Sequence, residues 1–412
     1  MQGAGGDGFA IMNPATARAK PRTLAGATIL QIVPALRDDL AGHAAIDIAL
    51  TLLQSGARAI VAGEGGPLVG ELRAFGGEWL PFKNDTVNPL QLRRNANFLE
   101  KYIPSERIDI VHAQSAGAAW SAISATDRQP VWLVTSFPDR LAADSWLQNM
   151  YRGSLARGDR VIAPSSFVSL AMIARYKIPP ERVTVIPRSV DTAAFSPAMV
   201  PPERIGALRR AWGIVPNMRV VLCPGRIAPW NGQMTLVDAA RMMAGAGDRN
   251  IAFVLAGDDR AQPNYTRDIL KRARAHGVDT LFRLIGRCPD MPAAFAAADA
   301  VVLPALAPPV AARAAAEAQA MGRPVIVSAV GVLPENIIFP PRMPEELRTG
   351  WAVRPGNPGE LVRALNAVFT LETTAYQALG ARGRQFAEFM FSPQSVAEAI
   401  RGVYTSLLAR DA

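Results

Sequence analysis

Short runs of β-branched and other apolar residues recur along the chain at helix-length intervals, and this alternation limits the fold more than any other feature. The runs fall at residues 28–34, 58–62, 79–82, 108–112, 131–137, 160–163 and 183–187, with helix-compatible segments between most of them. A second series follows at 219–223, 251–256, 281–285, 300–303, 325–328 and 351–353. Strands alternating with helices join as parallel neighbours through right-handed crossovers. The pattern therefore predicts an α/β protein with two Rossmann-like, doubly wound sheets. A proline-rich stretch, Ser196 to Pro202, and a short helix up to Trp212 separate the two series. A length of 412 residues also exceeds what one hydrophobic core usually supports.

Bulk composition narrows the functional classes. Half of the residues are apolar, yet mean hydropathy is only +0.11. The most apolar region, residues 291–312, is broken by Asp299, Pro304, Pro308 and Pro309, so no stretch is suited to spanning a bilayer. Residues 1–27 are rich in Gly and Ala, carry their basic residues late (Arg18, Lys20, Arg22), and lack the apolar centre of a secretion signal. They are expected to form a flexible arm. Cys223 and Cys288 lie in strand-like contexts, which fits a reducing cytoplasm better than a disulfide framework. His43, His112 and His276 share no ligand spacing, and no metal site is expected.

The net charge of +9 invites an anionic partner. Lysine is scarce, however, and arginine is scattered without aromatic interleaving, unlike a nucleic-acid surface. No nucleic-acid partner is expected. Peripheral contact with anionic lipid through Arg18, Lys20, Arg22 and the Arg93-Arg94 pair stays open beside the plainer view of arginine on solvated faces.

The chemistry concentrates in the second series. A strand that closes at Pro224-Gly225-Arg226 before a helix offers backbone N–H groups and a guanidinium where a diphosphate can sit. Arginine keeps its charge and presents a fork matched to phosphate oxygens. Glu317 sits on an alanine-rich helix whose other face must be buried, so its carboxylate is aimed at something specific, with a ribose the natural partner. Gly257 and Asp258 end another strand; the glycine permits close backbone approach, and ordinary turn chemistry explains the pair as well. Ligands of open α/β sheets bind beyond the carboxyl ends of the strands. Two such sheets facing a central cleft would present one substrate on each wall.

At these residues the chain resembles the family 4 glycosyltransferases, enzymes of the GT-B fold that move a sugar from a nucleotide-sugar to an acceptor with retention at the anomeric carbon. The elements are Pro224-Gly225-Arg226-Ile227 with Gly232-Gln233, Leu255-Ala256-Gly257-Asp258, Glu317 to Val325, and Gly331 to Glu335. Val185 to Asp191 is similar to the family's interdomain strand and hinge. The resemblance implies an acceptor domain over 28–190, a nucleotide-sugar domain over 191–391, and a last helix over 392–412 that returns to the first domain. It places Arg226 on the donor diphosphate as the catalytic group and Glu317 on the ribose. Gly225, Gly257 and Gly331 would give backbone access, with Asn231 and Asp258 in the same donor site. The nucleotide-sugar is a substrate and no cofactor is implied; the acceptor would be a glycan or glycolipid of envelope synthesis.

Several positions depart from the family pattern. Asn231 stands where relatives carry a lysine, and Pro309 stands eight residues before Glu317, where a second glutamate is usual. The loop after the first strand reads Arg37-Asp38-Asp39, and Phe137 occupies a position often held by histidine. His112, which ends its own strand, reads as a packed residue. These departures favour an alternative from a different class, a GT-B-shaped protein that has lost catalysis and serves as a binding or partner subunit.

Overall fold

The computed structural model describes residues 23–84, 86–137, 146–308 and 312–409, without the side chains of Leu40, Trp146 and Leu147. The chain divides into two compact units. The first takes in residues up to 164, residues 169–186 and residues from 397 onward; the second takes in 165–168 and 187–396.

Seven parallel strands form the sheet of the first unit: β1 (Thr28–Ala35), β2 (Arg58–Glu64), β3 (Glu78–Pro81), β4 (Ile110–Ala113), β5 (Trp132–Ser136), β6 (Arg160–Ala163) and β7 (Val183–Val185). Their spatial order is β3-β2-β1-β4-β5-β6-β7. Ile29, Leu30 and Ile32 of β1 are wholly buried, as a central strand covered by helices on both faces requires. Packing reaches further towards the N-terminus than hydropathy suggests. Leu24 and Ala27 are buried and the Gly26 N–H donates to the Gly56 carbonyl (2.8 Å), so the last residues of the expected arm are part of the unit. Arg18, Lys20 and Arg22 lie outside the described residues.

The second unit holds six parallel strands: β8 (Arg219–Pro224), β9 (Ile251–Ala256), β10 (Phe282–Gly286), β11 (Ala300–Leu303), β12 (Val325–Ser328) and β13 (Gly350–Val353), in the order β10-β9-β8-β11-β12-β13. Side chains alternate across the sheet, as strand geometry dictates. Val220 and Leu222 join a core layer with Phe295 and Met321, while Val221 and Cys223 join the opposite layer with Phe253, Leu236 and Leu365. Burying each such side chain contributes about 1.5–3 kcal/mol, so both faces hold the sheet in place.

Each sheet has one topological switch point, where neighbouring strands send their connections in opposite directions. It lies between β1 and β4 in the first unit and between β8 and β11 in the second. Ligands of open α/β sheets collect there. Among the described residues no helix is long and apolar enough to cross a membrane.

Candidate functional site

At the β8/β11 switch point the chain leaves β8 through Gly225, whose φ of 116° lies in the region that favours glycine. A Cβ there would meet nothing within 4 Å, so the backbone faces open space. Arg226 follows and is exposed. Among the described residues no carboxylate pairs with its guanidinium. Its backbone carbonyl, by contrast, is held twice, accepting from Asn231 Nδ2 (2.7 Å) and Gln233 Nε2 (3.0 Å). The loop is braced while its cation stays available.

Two residues expected in the donor site brace the loop. Asn231 spends its amide on the Arg226 carbonyl. Gly257 is a glycine because a Cβ would lie 1.8 Å from the Gly225 oxygen, so its missing side chain makes room for the neighbouring loop. Asp258 is also occupied. Its carboxylate accepts from Arg260 Nε (2.9 Å), Arg260 Nη2 (2.6 Å) and the Arg260 backbone N–H (3.0 Å). The Arg260 guanidinium holds this carboxyl well below the usual range.

The connection out of β11 is tied to the same loop. Leu306 N–H donates to the Trp230 carbonyl (2.8 Å), and a Cβ on Gly232, whose φ is 71°, would lie 2.0 Å from the Pro304 oxygen. That connection leads into the helix Arg313–Ala320. Glu317 lies on its buried face, 7% exposed. Arg313 Nε approaches Glu317 Oε1 to 2.5 Å, one helical turn away, with its N–H out of line with the oxygen. Burial pushes the Glu317 carboxyl up, and Arg313 partly offsets that shift. Motif matching passes over Arg313, although its i, i+4 spacing to Glu317 is visible in the sequence. Gly331 adopts φ 59° in the turn after β12. Pro309 lies outside the described residues.

In the first unit the equivalent switch point is filled by the chain itself. Asn84, fully buried, donates to the Val33 carbonyl (2.7 Å) and accepts from Ser115 Oγ (3.0 Å). A Cβ on Gly117, in the first turn of the helix after β4, would lie 2.2 Å from the Asn84 oxygen. The aspartates of the first loop have local tasks: Asp39 caps the helix Leu40–Gln54 by accepting from Gly42 N–H (2.9 Å), and Asp38 meets His43 Nε2 (2.8 Å). Phe137 is buried against Tyr176, ring centroids 5.7 Å apart. His112 is buried between Tyr404 Oη and Ser136 Oγ, each 2.7 Å from a ring nitrogen. Burial pushes its imidazole down to about 3, so the ring is neutral. No group of three His, Cys, Asp or Glu side chains among the described residues is arranged to hold a metal ion.

Comparison with known proteins places both units. The model for glycosyl transferases group 1 matches residues 218–370 and that for glycosyltransferase family 4 matches residues 42–194. The D-inositol 3-phosphate glycosyltransferase of Actinosynnema mirum is 30% identical over 186 residues, 44% of this chain and 43% of the relative. That of Jonesia denitrificans is 31% identical over 251 residues, 55% of this chain and 56% of the relative. The chain thus spans roughly half the length of the curated relatives it matches. A glycosyltransferase structure from Rickettsia africae superposes with a TM-score of 0.76 at 25% identity, covering 93% of this chain and 99% of that one. Anabaena HepE, solved in complex with UDP, superposes at 0.71 with 23% identity, covering 92% and 100%. With two parallel sheets, a family model on each unit and these structural neighbours, the chain belongs to the GT-B glycosyltransferases of the family 4 type.

Proposed function

We propose that this chain is a retaining hexosyltransferase that takes a sugar from a nucleotide-diphosphate donor and passes it to a lipid-linked or polysaccharide acceptor in envelope glycan synthesis. The observation that carries this is the end of β8, where an open-faced glycine precedes an exposed guanidinium that no carboxylate among the described residues neutralises. In transfer from a nucleotide-sugar, negative charge grows on the departing diphosphate, and a fixed cation there favours the transition state over the bound donor. Arg226 takes that role, and Glu317 takes the ribose hydroxyls. HepE complexes with UDP and with UDP-glucose support a donor of this class, and the lipopolysaccharide glycosyltransferase WaaG, which shares the fold, supports an envelope acceptor.

The compartment we propose is the cytoplasm, in keeping with two free thiols at Cys223 and Cys288. Peripheral contact with anionic lipid is part of the same proposal. Arg93 and Arg94 are exposed on the helix Pro89–Ser105 beside Leu90, itself 70% exposed. A second assignment, a partner subunit without turnover, is favoured by the buried Phe137 and by the amide of Asn231 being spent on the loop. Release of nucleoside diphosphate from UDP-, GDP- and ADP-hexoses separates the two. Steady release from at least one donor is expected; tight binding of a nucleotide with no release from any donor would select the partner subunit.

A further inference from the structure

We propose that Arg313 is a donor-site residue, supplying the second cation for the diphosphate that Asn231 does not supply. This rests on the assignment of the donor diphosphate to the second unit. Three observations on the β8/β11 switch point lead to it. First, the loop after β8 carries one available cation, Arg226, and the residue at 231 is neutral with its amide already engaged. Second, Arg313 opens the helix that follows β11, and the intervening connection is bonded to the β8 loop through Trp230, so the Arg313 backbone belongs to the same carboxyl edge of the sheet. Long side chains on a helix lean towards its N-terminus, and both Arg313 and Glu317 therefore lean towards that edge.

Third, the ion pair leaves most of the fork unused. The closest approach to Glu317 is through Nε, Nη1 and Nη2 form no hydrogen bond among the described residues, and the side chain is 38% exposed. A guanidinium placed only to neutralise a buried carboxylate would be expected to close on it with both arms. A buried ion pair is also weak evidence for stability in its own right, because apolar replacements of similar volume often serve as well. Other arginines at this edge are less available: Arg260 is closed on Asp258, Arg354 on Glu360, and Arg287 follows the edge strand β10. Arg313 thus combines a charged, part-exposed fork with a fixed anchor.

The test is calorimetry of wild type, Arg313→Gln, Arg313→Lys and Arg313→Gln/Asn231→Lys against UDP, GDP and ADP and against the matching nucleosides. For the nucleotide that wild type binds best, Arg313→Gln should weaken binding ten- to a hundredfold while the nucleoside changes by no more than about twofold. Arg313→Lys keeps a charge against Glu317 but spends its single ammonium there, so it should fold as wild type and still lose diphosphate affinity. Adding Asn231→Lys should restore much of the loss. Equal diphosphate affinity in wild type and Arg313→Lys would overturn the proposal, as would a parallel loss of nucleotide and nucleoside. If wild type binds the nucleotide and only the Arg313 variants are indifferent, the donor site stands and this inference alone fails; if wild type binds none of the three nucleotides, both fall.

Discussion

The two units share an architecture and differ at its switch point. Each has a parallel sheet with a single switch point, yet in the first unit that crevice is filled from within and in the second it opens onto a cation. Asn84 bonds both sides of the β1/β4 crevice and packs its carbonyl on Gly117. Nothing lies within 4 Å of a Cβ on Gly225 at the β8/β11 crevice, and Arg226 stands exposed beside it. The lesson is that a strand-end crevice stays open only where the chain's own side chains and loops do not fill it. The same fold can present one site or two according to a handful of loop residues.

The contrast is most easily broken at Gly257. Gly257→Ala sets a methyl group against the backbone of Gly225, which cannot rotate away as a side chain would. We expect a loss of about 3 kcal/mol or more, read by urea denaturation, with nucleotide binding lost as the loop moves. A variant of native stability would mean that the two loops are not packed as described.

Asn84→Ala probes the filled crevice. It leaves the Val33 carbonyl and the Ser115 hydroxyl without this partner, at a cost of roughly 1–3 kcal/mol. Nucleotide affinity should stay unchanged, because the diphosphate is assigned to the other unit. A drop in affinity at unchanged stability would put the donor in the wrong sheet.

His112 gives the first unit a pH dependence of its own. Its folded value of about 3 lies below the ordinary 6.5, so the unfolded chain binds the extra proton between them. The stabilisation is complete above about pH 6.5 and declines as pH falls towards the folded value, by at most about 1.4 kcal/mol per pH unit. Between pH 6.5 and 5 wild type should lose about 1.6 kcal/mol more than His112→Gln, which has no proton to take up. Parallel curves for the two proteins would show that the imidazole is not held neutral between Tyr404 and Ser136.

Much of the fold is legible in the sequence because parallel strands buried on both faces must be apolar throughout, and each of the thirteen strands falls on or within a few residues of a run that hydropathy marks. The loop after β8 is legible in part. Gly225 and Arg226 stand out because a glycine followed by a cation at a strand end is a local signature. Gly257 is less legible: a glycine that admits a ligand and a glycine that admits another loop look identical until the partner backbone is known. Asn84, Arg313 and Tyr404 escape because their partners are distant in sequence or because no motif names them. Tyr404 meets His112 across 292 positions, a pairing no local pattern encodes.

The central claim is that Arg226 meets a diphosphate at the carboxyl edge of the second sheet. Calorimetry of wild type and Arg226→Ala against UDP, GDP and ADP tests it most directly, since the side chain is exposed and its loss should leave the fold intact. We predict that at least one nucleotide binds wild type and that Arg226→Ala weakens it ten- to a hundredfold, about 1.5–3 kcal/mol, with unchanged thermal stability. Equal affinity in the two proteins, or no binding of any of the three at millimolar concentration, would contradict it.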